Sequence, residues 1–200
     1  MKRLGLAEYQ PTYAAMRAFT SARLAQTPDE FWILEHPPIY TAGLACRAEH
    51  LPRASDIALA RVDRGGQITY HGPGQLVVYT LVDLARHGLN IRQFVGLLEQ
   101  GVIDTLAEYR ISAARKSGAP GVYVRGAKIA ALGLRVRRGG CYHGVALNVD
   151  MDLAPFLAID PCGYPGLALT QMRDLGASAR VDEVGERLAA NLEGLLRLHG

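Results

Sequence analysis

Cysteine is scarce in this chain of 200 residues, with three in all: Cys46, Cys141 and Cys162. An odd count at spacings that match no zinc pattern gives no disulfide framework and points to reduced thiols. The plain reading of any one of them is a small buried hydrophobe. Long apolar runs are missing as well. None approaches the roughly 20 residues that a membrane-crossing helix needs. Lys2 and Arg3 open the chain, but Glu8, Tyr9 and Gln10 interrupt the apolar stretch behind them. No signal peptide is therefore expected, and a cytoplasmic location is. Neither sign of charge dominates: 22 basic against 19 acidic residues leave a net charge of +3. That balance makes no case for nucleic acid. Repeats, low-complexity tracts and linkers are also absent, so one domain over residues 1–200 is expected. With 49% hydrophobic and 20% charged residues, the chain can bury a sizeable core.

Three segments read as helices. Tyr9, Tyr13, Met16, Phe19 and Arg23 sit at helical spacing, and Thr27-Pro28-Asp29 is expected to end that helix. Asn90 is a good N-cap for a second, with Ile91, Phe94, Val95, Leu98, Val102, Leu106 and Tyr109 on one stripe. A third runs from about Asp182 to Leu198, with Val184, Leu188, Leu192 and Leu195 in register. Strands are expected at Phe31 to Leu34, Gln67 to Tyr70, Leu76 to Val82, Gly121 to Val124, Lys128 to Val136 and Tyr142 to Asn148, from their β-branched and aromatic content and their Gly or Pro boundaries. A short helix at Asp152 is expected as well. Strands cluster in the middle without strict alternation with helices. The fold class is therefore α+β, a mixed sheet flanked by helices, rather than a doubly wound parallel sheet.

Chemistry concentrates at three places. The run Arg64-Gly65-Gly66-Gln67-Ile68-Thr69-Tyr70-His71-Gly72-Pro73-Gly74-Gln75 has four glycines and a proline. Glycine lets backbone approach a ligand closely, but a turn between strands explains the composition equally. The run is neither a P-loop nor a dinucleotide fingerprint. Within it, His71 is either a turn residue bonded to backbone or a site residue. Lys128, among Gly126, Ala127, Ile129, Ala130 and Ala131, is either an edge gatekeeper or a functional amine. Small residues at Leu132-Gly133 and Gly144-Val145-Ala146 mark either a cleft or a tight crossing.

Cys141 and Cys162 are rival nucleophiles. Strand alternation would let Cys141 meet His143. Cys162 lies in the stiff turn Pro161-Cys162-Gly163-Tyr164-Pro165. A nucleophile on a rigid turn reaches a cleft without sampling many conformations, which favours Cys162. A thiolate is the reactive form, and a nearby ammonium favours it. Arg135, Arg137 and Arg138 form the densest basic cluster, an ordinary solvated face or a docking point for an acidic partner.

In these stretches the sequence resembles the lipoyl(octanoyl) transferases. The matching segments are Glu35-His36-Pro37-Pro38-Ile39-Tyr40-Thr41, Arg64 through Gln75, Lys128-Ile129-Ala130-Ala131-Leu132-Gly133, Tyr142-His143-Gly144-Val145-Ala146-Leu147-Asn148 and Pro161-Cys162-Gly163-Tyr164. They come in the family's order and cover most of residues 30 to 172. The resemblance implies the catalytic fold of lipoate and biotin protein ligases. It implies transfer of an octanoyl group from octanoyl-acyl carrier protein to a lysine of lipoyl domains, those of 2-oxoacid dehydrogenase complexes and the glycine-cleavage carrier protein. It assigns the acyl-thioester nucleophile to Cys162 and the thiolate-supporting amine to Lys128. Its substrate-binding positions fall on Arg64, Gly65, Gly66, Gln67, Ile68, Thr69, Tyr70 and His71, on Ala131, Leu132 and Gly133, and on Gly144, Val145 and Ala146. It carries no role for Cys46, and around Arg138-Gly139-Gly140-Cys141 the match is looser. No metal or diffusible cofactor is implied, and a monomer is expected. Two other readings stay open: an ATP-dependent lipoate-protein ligase on the same fold, which need not carry Cys162, and a non-catalytic acyl-carrier-binding protein, which would tolerate its loss.

Overall fold

A computed structural model describes residues 1–52, 55–160 and 166–199. The strands are β1 (Lys2–Leu6), β2 (Glu30–Glu35), β3 (Ile39–Ala42), β4 (Ala58–Arg61), β5 (Ile68–His71), β6 (Gln75–Asp83), β7 (Ala114–Arg115), β8 (Val122–Val124), β9 (Ala127–Arg137) and β10 (Gly140–Asn148). Three helices accompany them: α1 (Tyr9–Ser21), α2 (Ile91–Glu108) and α3 (Val181–Arg197). Seven strands form one sheet in the order β1-β2-β6-β10-β9-β8-β7, antiparallel except for the β1–β2 pair. The other three make a small sheet, β4-β3-β5. This is the expected mixed sheet with helices packed on it.

Alternation along the central strands sorts the core into two layers. On β6, Leu76, Val78 and Val82 join the cluster under α2 and α3, while Val77, Tyr79 and Leu81 join the one under α1. On β2, Phe31 and Ile33 take the first face and Trp32 and Leu34 the second. A period of two with apolar residues on both faces is what a sheet covered on both sides requires. From the helices, Leu98, Val102, Val184, Leu188 and Leu192 meet the first face and Met16 the second. Truncating one of these, such as Leu188→Ala, costs about 2–5 kcal/mol by lost transfer energy and residual cavity.

The start of α2 is fixed as its sequence suggests. The Asn90 side chain accepts from the Gln93 amide, and the Gln93 side chain accepts from the Asn90 amide, each at 2.9 Å. This reciprocal cap satisfies two otherwise orphaned donors. By contrast, α1 stops at Ser21, well before the expected Thr27-Pro28-Asp29. Tertiary contacts draw Arg23 away: it donates to the Asp29 carboxylate at 2.9 Å and to the Leu81 carbonyl at 2.6 Å. The short helix expected at Asp152 is a 3₁₀ helix, Ala154–Ala158.

Candidate active site

A cavity of about 440 Å³ lies where the small sheet meets β9 and β10. That is within the usual range for small-ligand sites, roughly 300–1,000 Å³. One wall is the glycine-rich lip ahead of β5. Its carbonyls are turned away and occupied: the amides of Gly43, Leu44 and Ala45 donate to Gln67, Arg64 and Gly66. The Gly65 amide donates to Leu134 on β9 at 2.8 Å, which ties the lip to the opposite wall. Gly66 sits at φ +81°, a conformation that favours glycine. Behind the lip, the buried Arg64 guanidinium donates to the carbonyls of Gly65 (3.1 Å), Gln67 (2.8 Å) and Thr41 (2.6 Å) and to Thr41 Oγ1 (2.8 Å). A planar, permanently charged donor fork suits such a many-carbonyl grip.

Lys128 forms part of the second wall and is 4% exposed. Since β9 lies between β10 and β8, the edge-gatekeeper reading of this lysine does not hold. Its Nζ donates to the Pro120 carbonyl at 3.1 Å and lies 5.3 Å from the centre of the Tyr123 ring. Its backbone is bracketed by the chain beyond residue 166: the Lys128 amide donates to Ala168 and the Thr170 amide donates to Lys128.

Of the residues singled out in the sequence, Arg64, Gly65, Gly66, Gln67, Ile68, Thr69, His71, Lys128, Ala131, Leu132, Gly133, Gly144, Val145 and Ala146 all line this cavity. Tyr70 does not. Strand alternation turns it into a separate cluster with Tyr40 and Phe156. Cys162 lies outside the described residues, as do Pro161, Gly163, Tyr164 and Pro165. Gly144 is required by packing, because a Cβ there would run into the Val78 carbonyl oxygen.

The Cys141–His143 contact that alternation allows is not made. Cys141 is fully buried in the α2/α3 core layer, and burial pushes its thiol up to about 12. His143 has φ +62°, and its ring stacks against Tyr13 and Tyr142 on the other side. There it meets Asp63 through Nε2 at 3.2 Å, and Tyr142 donates its hydroxyl to the same carboxylate at 2.6 Å. Burial brings His143 down to about 4, against the opposing pull of Asp63. The imidazole is therefore neutral near neutral pH, so a neutral N–H···carboxylate bond describes the contact better than an ion pair. For Asp63 itself, burial acts upward. The hydrogen bonds from Tyr142, Tyr13 and His143 outweigh it and hold the carboxyl below its usual value.

Several polar side chains at this site were not assigned a role from sequence. Tyr79 lines the cavity and donates its hydroxyl to His36 Nε2 at 2.7 Å, while His36 Nδ1 donates to the Ala7 carbonyl at 2.6 Å. Tyr9 packs against His36 and His71. His71 is buried and is brought to about 3, first by burial and then by the neighbouring His36. The adjacency of Asp63 to Arg64, and of His36 to the Pro37-Pro38 pair, was the available signal.

Comparison with known proteins places this geometry in a class. Residues 8–193 match the model of the lipoyl protein ligase A/B catalytic domain, and the chain belongs to that family. Within the family its curated relatives include an octanoyltransferase of Aromatoleum aromaticum, 62% identical over 98% of this chain and 85% of that one. A second, from Dechloromonas aromatica, is 58% identical over 96% and 94% respectively. The fold is also that of a bi-partite lipoate protein ligase from Thermoplasma acidophilum, solved with its E2 lipoyl domain. The TM-score is 0.78 at 18% identity, covering 98% of this chain and 84% of that one.

Proposed function

We propose that this chain, an octanoyltransferase of protein lipoylation, carries its acyl group on Cys162 as a thioester between an acyl-carrier donor and a lysine of a lipoyl domain. The observation that carries the reading is Lys128, a buried amine on the wall of a cavity whose opposite wall is a pinned glycine lip and whose lining includes the small and apolar side chains of Val77, Ala131, Leu132, Val145 and Ala146. Cys162 is six residues before Ala168, whose carbonyl accepts from the Lys128 amide. Six residues span at most roughly 20 Å fully extended, so the chain length permits Cys162 to approach Lys128.

In this reading the Lys128 ammonium favours the Cys162 thiolate. The thiolate attacks the thioester carbonyl carbon. A new S–C bond forms, the bond to the carrier's thiol breaks, and that thiolate leaves with a proton taken from the Lys128 ammonium, which is left as the neutral amine. The target lysine amine then attacks the enzyme thioester. An amide forms, Cys162 departs as thiolate, and the proton shed by the amine passes to Lys128 acting as general base. The apolar residues Val77, Val145 and Ala146 offer an acyl chain its surroundings, and the rigid lip supplies backbone beside the reacting carbonyl. Gln67 Oε1 adds support: it is buried, lies on the cavity wall and has no hydrogen-bond partner among the described residues. An orphaned acceptor costs about 1–3 kcal/mol, and a substrate N–H would relieve that cost. An ATP-dependent ligase would not need Cys162, and the ligase likeness at 18% identity supports the fold alone.

Cys162→Ala is expected to abolish octanoyl transfer, while Cys141→Ser keeps most of it because Cys141 is sealed in the core. Full transfer by the Cys162→Ala protein would defeat the reading.

A further inference from the structure

A continuous chain of buried hydrogen bonds joins the two walls of the cavity. Arg64 Nη2 donates to Thr41 Oγ1 at 2.8 Å, and Thr41 Oγ1 meets His71 Nε2 at 3.3 Å. His71 Nδ1 meets Gln75 Oε1 at 2.7 Å. Gln75 Nε2 donates to Asn148 Oδ1 at 3.0 Å, and Asn148 Nδ2 donates to the Thr170 carbonyl at 3.0 Å. The Thr170 amide then donates to the Lys128 carbonyl at 3.0 Å.

The direction of each bond is fixed by chemistry. Gln75 also donates to the Tyr70 carbonyl at 3.3 Å, and a carbonyl can only accept, so its nitrogen must face that way. The Thr170 carbonyl fixes the Asn148 amide by the same logic. With Gln75 Oε1 as acceptor, His71 must carry its proton on Nδ1, which leaves Nε2 to accept from Thr41. Every side-chain link therefore donates in one sense, from the Arg64 cation to the Thr170 carbonyl, while the Thr170 N–H on Lys128 belongs to the preceding peptide group and ties the segment to β9. Bonds aligned in this way polarise one another.

Asn148 is the link that crosses between elements. It is 4% exposed at the end of β10, and its own carbonyl accepts from the Met172 amide at 3.1 Å. It thus grips residues 170 and 172 at once, in the segment whose backbone brackets Lys128. We infer that Asn148 is a positioning residue of the transfer reaction: through Thr170 it sets where the β9 strand presents the Lys128 ammonium on the cavity wall. The inference rests on the proposed Cys162–Lys128 pairing, and it adds a residue with no substrate contact of its own.

The test is the rate of Cys162 alkylation against pH, read peptide by peptide by mass spectrometry, in wild type, Asn148→Leu, Lys128→Met and the double variant. Asn148→Leu keeps the side-chain size and removes both side-chain bonds. Its alkylation midpoint is expected to move up in the same direction as that of Lys128→Met, and the double variant to move no further than Lys128→Met alone. With a small soluble octanoyl thioester, kcat is expected to fall roughly 10- to 100-fold, as for a small misplacement of a reacting group, with KM little changed. Asn191→Ala serves as the structural control. Asn191 bonds Thr105 and Glu108 on α2, away from the cavity, and its loss is expected to lower Tm without moving the midpoint. A shifted Lys128→Met with an unshifted Asn148→Leu, or additive shifts in the double variant, overturns the inference alone. An unshifted Lys128→Met overturns the pairing and the inference together.

Discussion

Acid should destabilise this protein early, because two buried histidines are held neutral. His71 is brought to about 3 and His143 to about 4. In the unfolded chain both return to an ordinary value of about 6.5. Between these limits the unfolded state binds more protons, so stability rises with pH there. The contribution is fully present above about 6.5 and is lost as pH falls toward the folded values. At about pH 5 each unfolded imidazole is almost fully protonated while its folded counterpart is not. The loss relative to about pH 7 is then roughly 2 kcal/mol per histidine, or about 4 for the two. This magnitude needs only that the folded values lie below 5. His36, also lowered by burial, acts in the same direction. Asp63, held low, adds its share only at lower pH, once carboxylates begin to protonate. A loss of about 4 kcal/mol is a large fraction of the 5–15 kcal/mol that stabilises a typical domain. Urea titrations at the two pH values measure it. With a slope of about 2 kcal/mol/M the midpoint should drop by roughly 2 M. His143→Asn should remove about half of the difference. An equal or higher midpoint at the lower pH would refute the reasoning.

Gly144→Ala should cost about 3 kcal/mol or more, because the new methyl group has only the Val78 carbonyl to displace; an unchanged melting temperature would contradict the packing argument. Donors from two to eight carbons should compete in order of length, by about 0.8 kcal/mol per buried methylene at best. Equal reactivity of the shortest and longest would mean that the cavity does not hold the acyl chain. Arg135, Arg137 and Arg138 are exposed and bonded to no acidic group among the described residues, and Arg135 lies about 23 Å along β9 from Lys128. Replacing all three by glutamine should slow reaction with carrier-bound donor several-fold at low salt and hardly affect a small neutral thioester; equal losses for both donors would place the arginines in support of the fold.

What the sequence disclosed follows from how strongly burial patterns it. The stripes of α2 and α3 and the two-sided runs of β6 and β10 are readable because each packs a full face. By contrast, β1 is exposed along its whole length and β4 along most of it, while β7 has two residues. Such edges carry little alternation, and neither the outer strands of the large sheet nor the small sheet that β4 helps build was anticipated. Within the site, the lip and Lys128 were visible as compositional oddities. The Asp63–His143–Tyr142 group was not, since its members come from distant segments and His143 leaves the strand's alternation through a positive φ. Tyr70, counted with its neighbours in one continuous run, is turned away by the same two-residue period that points Thr69 and His71 inward.

The central claim is a covalent octanoyl group on Cys162, and the intact mass of the protein tests it most directly. The protein is mixed with octanoyl-acyl carrier protein in the absence of ATP, then treated with hydroxylamine. The account predicts a gain of one octanoyl group that hydroxylamine removes, mapped to the Cys162 peptide and absent in Cys162→Ala. Acylation that requires ATP, or an adduct that persists in Cys162→Ala, would contradict it.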